Sequence, residues 1–279
     1  MTFMKSLKTT RETILKSSRS YYSRRAYYWN LLDERLPERY KRELDFIEHA
    51  FSTNATRPIA KVLDIACGNG RHLLRLAKSG YKCTGLDYTP ENIQIAKENA
   101  KREGVSIKLM QGDSTKLDYE DEFDAVLAIN VLHLLPNDDD VQKCLSLIHR
   151  ALRSGGILVC NIGNPFRQGK GWYSLKMIFE GLIIQEERTS DMHVMEIARL
   201  VDFDPMYGMA WWQETSIIES PDGIHVFRDR EHLRLFTYWD ILHYIQVAGF
   251  KEIKCYPDWL INPPKKPKAA RLVFVSRKD

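Results

Sequence analysis

The stretch Val62-Leu63-Asp64-Ile65-Ala66-Cys67-Gly68-Asn69-Gly70-Arg71-His72-Leu73 constrains the chain more than any other. It reads as a buried strand that stops at an aspartate, a glycine-rich turn, and a helix that runs to Gly80. Gly68 and Gly70 permit backbone conformations closed to other residues and bring N–H groups close to a ligand. A nucleotide-like molecule fits such a strand end. Dinucleotide-binding turns use a related Gly-x-Gly-x-x-Gly, but here Leu73 stands where the third glycine would fall. Asp64 beside the turn disfavours a pyrophosphate and suits an ammonium or sulfonium charge. Taken alone, the segment also reads as a turn that merely packs a helix on a sheet.

Two later segments narrow the choice. Lys82 to Asp87 is a second apolar strand ending in an acid, placed roughly twenty residues on, where an acid accepts ribose hydroxyls. Ile107 to Ser114 holds a third strand that ends in Asp113, in a position to accept from an adenine amino group. Each acid alone reads as a cap or turn residue. Three of them closing three consecutive strands point to a bound nucleoside.

Strand and helix alternate from Lys61 through Ile162, which requires a parallel sheet with helices on both faces. Thr89 with Pro90 opens one helix that Gly104 ends. Asn137 and Asp138 to Asp140 open another, and these acids suit a helix N-terminus rather than a metal. Near the C-terminus, Thr237-Tyr238-Trp239-Asp240 is a capping box, and Gly249 closes the helix that it opens. A strand from Glu252 to Tyr256 and a last strand from Arg271 to Ser276 are joined by a Pro- and Lys-rich connection with no room for a crossover helix. These two strands are therefore expected as antiparallel neighbours. Lys265, Lys266 and Lys268 read as a solvated hairpin tip.

The ordered set resembles the class I S-adenosylmethionine-dependent methyltransferases. Asp64-Ile-Ala-Cys-Gly68-Asn-Gly70 is similar to that family's first motif, with Ala66 at its commonest first glycine. The resemblance makes Asp87 the ribose acid, Tyr88 the adenine-packing residue and Asp113 with Ser114 the adenine-edge motif. Phe123 to Asn130 resembles the fourth strand, with Asn130 near the methionine end, and Leu152 to Leu158 the turn into the fifth. It covers about residues 61–162 and resumes from Leu235 onward. It implies S-adenosyl-L-methionine as cofactor and an α/β fold with a doubly wound, seven-stranded, mostly parallel sheet containing one antiparallel strand. It also implies that Tyr22 and Trp29 cover the cofactor and that Asn30 takes the place of a family acid. The same aromatics equally suit a helix packed onto its domain.

Four parts are expected: an N-terminal helical cap over 1–55, a cofactor-binding core over 56–162, an inserted β-rich lid over 163–235, and the end of the core over 236–279. In the cap, Tyr40, Leu44, Ile47 and Phe51 recur at helical spacing after the break at Pro37. The lid begins with an expected helix around Trp172 to Ile184. Strands follow over Val194 to Phe203, Trp211 to Glu219 and Ile224 to Arg228, with a Pro221-Asp222-Gly223 turn before the last. Trp172, Tyr207, Trp211 and Trp212 are candidates to line an organic substrate's pocket, or to bury the lid against the core or a second subunit.

Transfer from a sulfonium mainly requires alignment of the nucleophile and exclusion of water. A base is needed only if the nucleophile keeps its proton at neutral pH. His133, just past the fourth strand, is the candidate base, with His193, His225 and His232 in the lid as alternatives and a packed histidine as the plain reading.

Composition sets the remaining limits. With 279 residues, 44% hydrophobic and 28% charged, the chain can bury one large core plus a subdomain. No apolar run approaches the roughly 20 residues that span a bilayer, so no membrane partner is expected. The net charge of +4 is spread along the chain, which gives no case for nucleic acid. Five cysteines without ligand spacing read as reduced core thiols of a cytoplasmic protein without structural zinc. The basic, Ser/Thr-rich start, with Glu12 as its only acid over the first twenty residues, reads as a helical lead-in or as a transit peptide. The resulting expectation is a monomeric or homodimeric enzyme that methylates nitrogen or oxygen on a small organic acceptor. The alternatives are a tRNA or protein methyltransferase, a catalytically silent cofactor-binding scaffold, and a nicotinamide-dependent oxidoreductase.

Overall fold

Thr10 caps the first described helix, its hydroxyl accepting the N–H of Thr13 at 3.2 Å. The computed structural model describes residues 10–167, 180–265 and 269–279. Helix α1 (Arg11–Arg35) is followed by a 3-10 turn at Pro37–Tyr40 and by α2 (Lys41–Asn54). In α2 the stripe of Leu44, Ile47 and Phe51 is buried against the sheet together with Phe46 and Ala50.

The core runs β1 (Lys61–Asp64), α3 (Arg71–Lys78), β2 (Lys82–Asp87), α4 (Pro90–Arg102), β3 (Ile107–Gln111), β4 (Phe123–Ala128), α5 (Asp138–Ala151) and β5 (Leu152–Gly163). After the lid it ends with α6 (Tyr238–Val247), β10 (Lys251–Pro257) and β11 (Arg271–Arg277). The strand order is β10-β11-β5-β4-β1-β2-β3. β11 lies antiparallel to both β5 and β10, while β1 to β5 pair in parallel. The strand order steps outward from β1 in both directions, so the strand ends at Asp64, Asp87 and Ala128 face one crevice beside the switch point. This is a doubly wound, Rossmann-like α/β fold, with one apolar layer on each face of the sheet.

One glycine here is required for close approach. A Cβ at Gly85 in β2 would stand 2.7 Å from Leu73 Cδ1, 2.8 Å from Leu109 Cδ2 and 2.9 Å from Cys67 Sγ. The missing side chain lets α3 and the glycine turn sit directly on β2.

The lid is a second, antiparallel sheet of β6 (Leu182–Arg188), β7 (His193–Asp204), β8 (Met209–Ser220) and β9 (Gly223–Arg234). The hairpin at Pro221-Asp222-Gly223 joins β8 and β9 as expected. The helix expected around Trp172 to Ile184 is corrected at its end. Leu182 to Ile184 belong to β6, paired with Ala198 and its neighbours, and Ile183 is buried while Leu182 and Ile184 are exposed. That alternation is the period of a strand. Trp172 lies outside the described residues, as do Lys266 and Lys268.

Helix α1 lies between the two sheets. Ser18, Tyr21, Arg25 and Tyr28 face the lid, with Tyr28 and Leu32 packed against Met192, Val194 and Ile218. Its other side runs along α4. Among the described residues, no helix is long and apolar enough to cross a membrane.

Candidate cofactor site

β1 ends at Asp64, and the turn that follows uses two left-handed residues, Gly68 (φ 54°) and Gly70 (φ 84°). The N–H of Gly68 donates to Asp87 Oδ2 at 2.8 Å, which ties the turn to the end of β2. Asp87 Oδ1 accepts from the N–H of Thr89 at 2.9 Å and from Asn92 Nδ2 at 3.2 Å. Burial nevertheless holds the Asp87 carboxyl above its ordinary pKa, against the pull of these donors. A Cβ built at Gly68 meets nothing within 4 Å, so the turn opens onto free space on that side.

Asp64 is 1% exposed. Its Oδ1 accepts from the N–H of Ala66 at 3.3 Å, while Oδ2 has no hydrogen-bond partner. Oδ2 faces His72 Nδ1 at 3.6 Å, an ion-pair distance longer than a hydrogen bond. The other ring nitrogen of His72 is 3.2 Å from Glu43 Oε1 on α2. His72 is 3% exposed, and although burial lowers its pKa, the two carboxylates overcome this and raise it. Burial likewise pushes Glu43 up, and its contact with His72 outweighs that and lowers it. Arg71, next along, stacks on the Tyr40 ring at 4.1 Å.

Asn30 does not stand free at the cofactor edge. Its Oδ1 accepts from Asn69 Nδ2 at 3.2 Å and from Asn99 Nδ2 at 2.8 Å. Asn69 Nδ2 also donates to Asp33 at 2.9 Å, and Asn99 Nδ2 to the carbonyl of Asn69 at 3.0 Å. Four side chains from α1, the turn and α4 thus latch the first helix onto the glycine turn. Trp29 packs beside the apolar cluster of Tyr28, Leu32 and Ile218 at the lid, and Tyr22 meets Tyr21 edge to face at 5.0 Å.

Asp113 caps the short turn after β3, accepting from the N–H and hydroxyl of Thr115 at 2.9 and 2.7 Å. Arg11 reaches it at 3.5 Å while holding Asp140 through both carboxylate oxygens at 2.9 and 2.8 Å. Burial works against the Asp113 charge, but these donors prevail and lower its pKa. Ser114 is buried beside it, and Tyr88 is partly exposed with the Arg19 guanidinium 5.8 Å above its ring. At the end of β4, Asn130 takes a left-handed conformation (φ 55°). Its N–H donates to Asn161 Oδ1 at 2.7 Å, and Asn161 Nδ2 donates back to Asn130 Oδ1 at 2.8 Å.

The geometry does not favour His133 as a base. It is buried in the turn after β4, and burial, with the nearby His232 and Arg271 adding to it, lowers its pKa to about 3. A group so reluctant to take a proton is a poor base at neutral pH. His232 closes the lid over this turn, its Nε2 donating to the carbonyl of Leu134 at 2.9 Å. Trp212 is fully buried with Ala198, Ala210 and Leu233, and Leu134 of the turn after β4 packs against this cluster. Trp211 stacks at a tilt on His232, ring centroids 5.5 Å apart, and Tyr207 is exposed in the turn between β7 and β8. Two surface clefts, around Lys61, Tyr81, Lys82 and Phe123 and around Phe51, Pro58 and Tyr81, lie at the opposite ends of the strands and hold none of the candidate residues.

Glu43, His72, Asn69, Asn99 and Asn161 were not singled out by the sequence reading. Asn69 and His72 sit inside and just beyond the glycine motif, but their partners are distant in the chain.

Residues 62–156 match a family described as a methyltransferase domain. A methyltransferase-named protein of Geobacillus sp. (strain WCH70) is 25% identical over 261 residues, 92% of this chain and 99% of that protein. An S-adenosylmethionine-dependent methyltransferase from Clostridium acetobutylicum superposes with a TM-score of 0.72 at 16% identity, covering 90% of this chain and 98% of that one. The S-adenosylmethionine-bound amino pentose methyltransferase CalS10 from Micromonospora echinaspora superposes at 0.62 with 21% identity, covering 85% and 88%. The fold and the glycine-turn site define a nucleoside-binding α/β enzyme. Residues 62–156 form a methyltransferase domain within a fold shared with S-adenosylmethionine-dependent methyltransferases, and S-adenosylmethionine is its cofactor.

Proposed function

We propose that this chain methylates a nitrogen or oxygen of a small organic acceptor enclosed between the crevice and the β lid. One observation carries the reading: α1 is latched to the glycine turn through Asn30, and β9 is fastened over the β4 end through His232 and Leu134. The crevice is therefore roofed on two sides, a shape that suits a small molecule and obstructs a folded nucleic acid or protein. The amino pentose enzyme among the structural neighbours acts on an acceptor of that size.

The residues fit the cofactor. Asp64, whose buried Oδ2 lies 3.6 Å from His72 Nδ1 and makes no hydrogen bond, would hold an ammonium group, and the open space beside Gly68 would admit the methionine arm past Ala66 and Gly70. Asp87 Oδ1 already takes two donors and Oδ2 one, which leaves a lone pair on Oδ2 for a ribose hydroxyl. Tyr88, Asp113 and Ser114 would flank the base, and Asn130, fixed by Asn161, would border the methionine end. Trp29 and Tyr22 would cover the site through α1. When bound, S-adenosylmethionine supplies an electrophilic methyl group on a sulfonium. The chain's own contribution is alignment and exclusion of water, and alignment alone is worth about 7–11 kcal/mol. No base is assigned, which suits an acceptor that is unprotonated at working pH. The proposed division is a helical cap over 1–55, a core over 56–162 and 236–279, and the lid over 163–235.

The test is methyl incorporation from labelled S-adenosylmethionine into a panel of amines, amino sugars, phenols and quinols, run beside unmodified tRNA and protein substrates. Label in a small acceptor supports the reading. Label only in tRNA or protein overturns it.

A further inference from the structure

The lid sheet buries charged side chains beside its apolar ones and leaves further apolar side chains on its outer face. An antiparallel sheet with one wet face normally turns apolar residues inward and polar residues outward. Here the face under α1 carries Glu214, Ser216 and Glu231, all buried. The fully buried Arg25 reaches into it, bonding Ser216 at 2.8 Å and Asp229 at 2.7 Å, with Glu214 3.7 Å away. The opposite face carries Ile184, Met195, Ile197, Ile217 and Val226, which the strand register sets side by side in two adjoining rows. Ile184 is 56% exposed and Val226 53%. Contiguous apolar surface of this kind marks an interaction site.

The charges around the patch are sorted by end. Arg199, Arg228 and Arg230 lie towards one end of the strands, Glu186 and Glu219 towards the other. Arg188 and His193 at the acidic end sit against Glu186 and Glu219, at 3.4 Å for Arg188–Glu186 and for His193–Glu219. We propose that this face joins two copies of the chain about a two-fold axis running across the strands. That axis lays the basic end of one copy over the acidic end of the other and sets the Ile and Met rows against themselves, as a self-complementary contact requires. With strands ~4.8 Å apart and same-face rows ~6.8 Å apart, a four-by-four face offers roughly 500 Å² per copy. The total of about 1,000 Å² reaches the lower bound for a specific interface.

The full chain should sediment as a dimer at about 20 µM, a concentration that populates a dimer of micromolar Kd. Ile184→Glu with Val226→Glu, both at exposed positions, should weaken the dimer at least a hundredfold and leave the far-UV circular dichroism unchanged. Glu219→Arg alone should weaken it, and adding Arg230→Glu should restore it. A wild-type chain that is monomeric at that concentration overturns the proposal. So does a dimer that survives the double substitution, and so does a charge swap that restores nothing.

Discussion

Replacing His72 with glutamine should destabilise the fold by about 2–4 kcal/mol near pH 5.5 and by far less at pH 9. The imidazole lies between two buried carboxylates, 3.2 Å from Glu43 and 3.6 Å from Asp64. Removing one partner from a buried ion pair destabilises by roughly 3–5 kcal/mol, and a glutamine amide recovers about 1 kcal/mol by a hydrogen bond to one carboxylate. The pH dependence follows from the two shifts. His72 has a raised folded pKa, so its contribution is fully present below the unfolded value of about 6.5 and is lost as pH rises through the folded value. Glu43 has a lowered folded pKa, so its contribution is present above its unfolded value and is lost as pH falls through the folded one. The pair therefore stabilises most between about pH 4.5 and 6.5. Urea unfolding of wild type and variant at pH 5.5, 7 and 9, followed by tryptophan fluorescence, reads this directly. A deficit below about 1 kcal/mol at pH 5.5, or one that stays constant across the series, refutes the reasoning.

Asn30→Ala removes the acceptor shared by Asn69 and Asn99, and should raise the Kd for S-adenosylmethionine about tenfold, equivalent to one lost hydrogen bond of ~1.4 kcal/mol, and speed amide exchange in α1. Unchanged affinity and exchange would mean that α1 is held by its lid contacts alone. Trp212→Ala should destabilise the protein by about 3–5 kcal/mol, because its ring is the centre of the lid core, and a loss under 1 kcal/mol would place it elsewhere. His133→Asn should leave kcat within about tenfold of wild type, whereas general-base removal typically costs about 10²–10⁴-fold.

The sheet was legible because its signals are local. Each of β1, β2 and β3 is a short apolar run closed by an acid or glycine, and Thr237 with Asp240 forms the expected capping box in the structure. The antiparallel ending followed from a proline-rich connection too short for a crossover. β6 was missed because Leu-Ile-Ile followed by charged residues carries no clear alternation, and only pairing with β7 makes it a strand. The polar joints were invisible for a related reason. Glu43 is 29 residues from His72, Asn30 is 69 from Asn99, and Arg25 is 204 from Asp229, so no window contains both partners. The position of His133 at a strand end suggested access, whereas it is 2% exposed, with His232 of the lid bonded to the neighbouring Leu134.

The most direct test of the central claim is calorimetric titration of the chain with S-adenosylmethionine and, separately, with NAD, repeated with Asp87→Ala. The account predicts a Kd in the micromolar range for S-adenosylmethionine, about −8 kcal/mol, no heat from NAD, and at least tenfold weaker binding in the variant. Absence of S-adenosylmethionine binding, or an unchanged Kd without the Asp87 carboxylate, would contradict it.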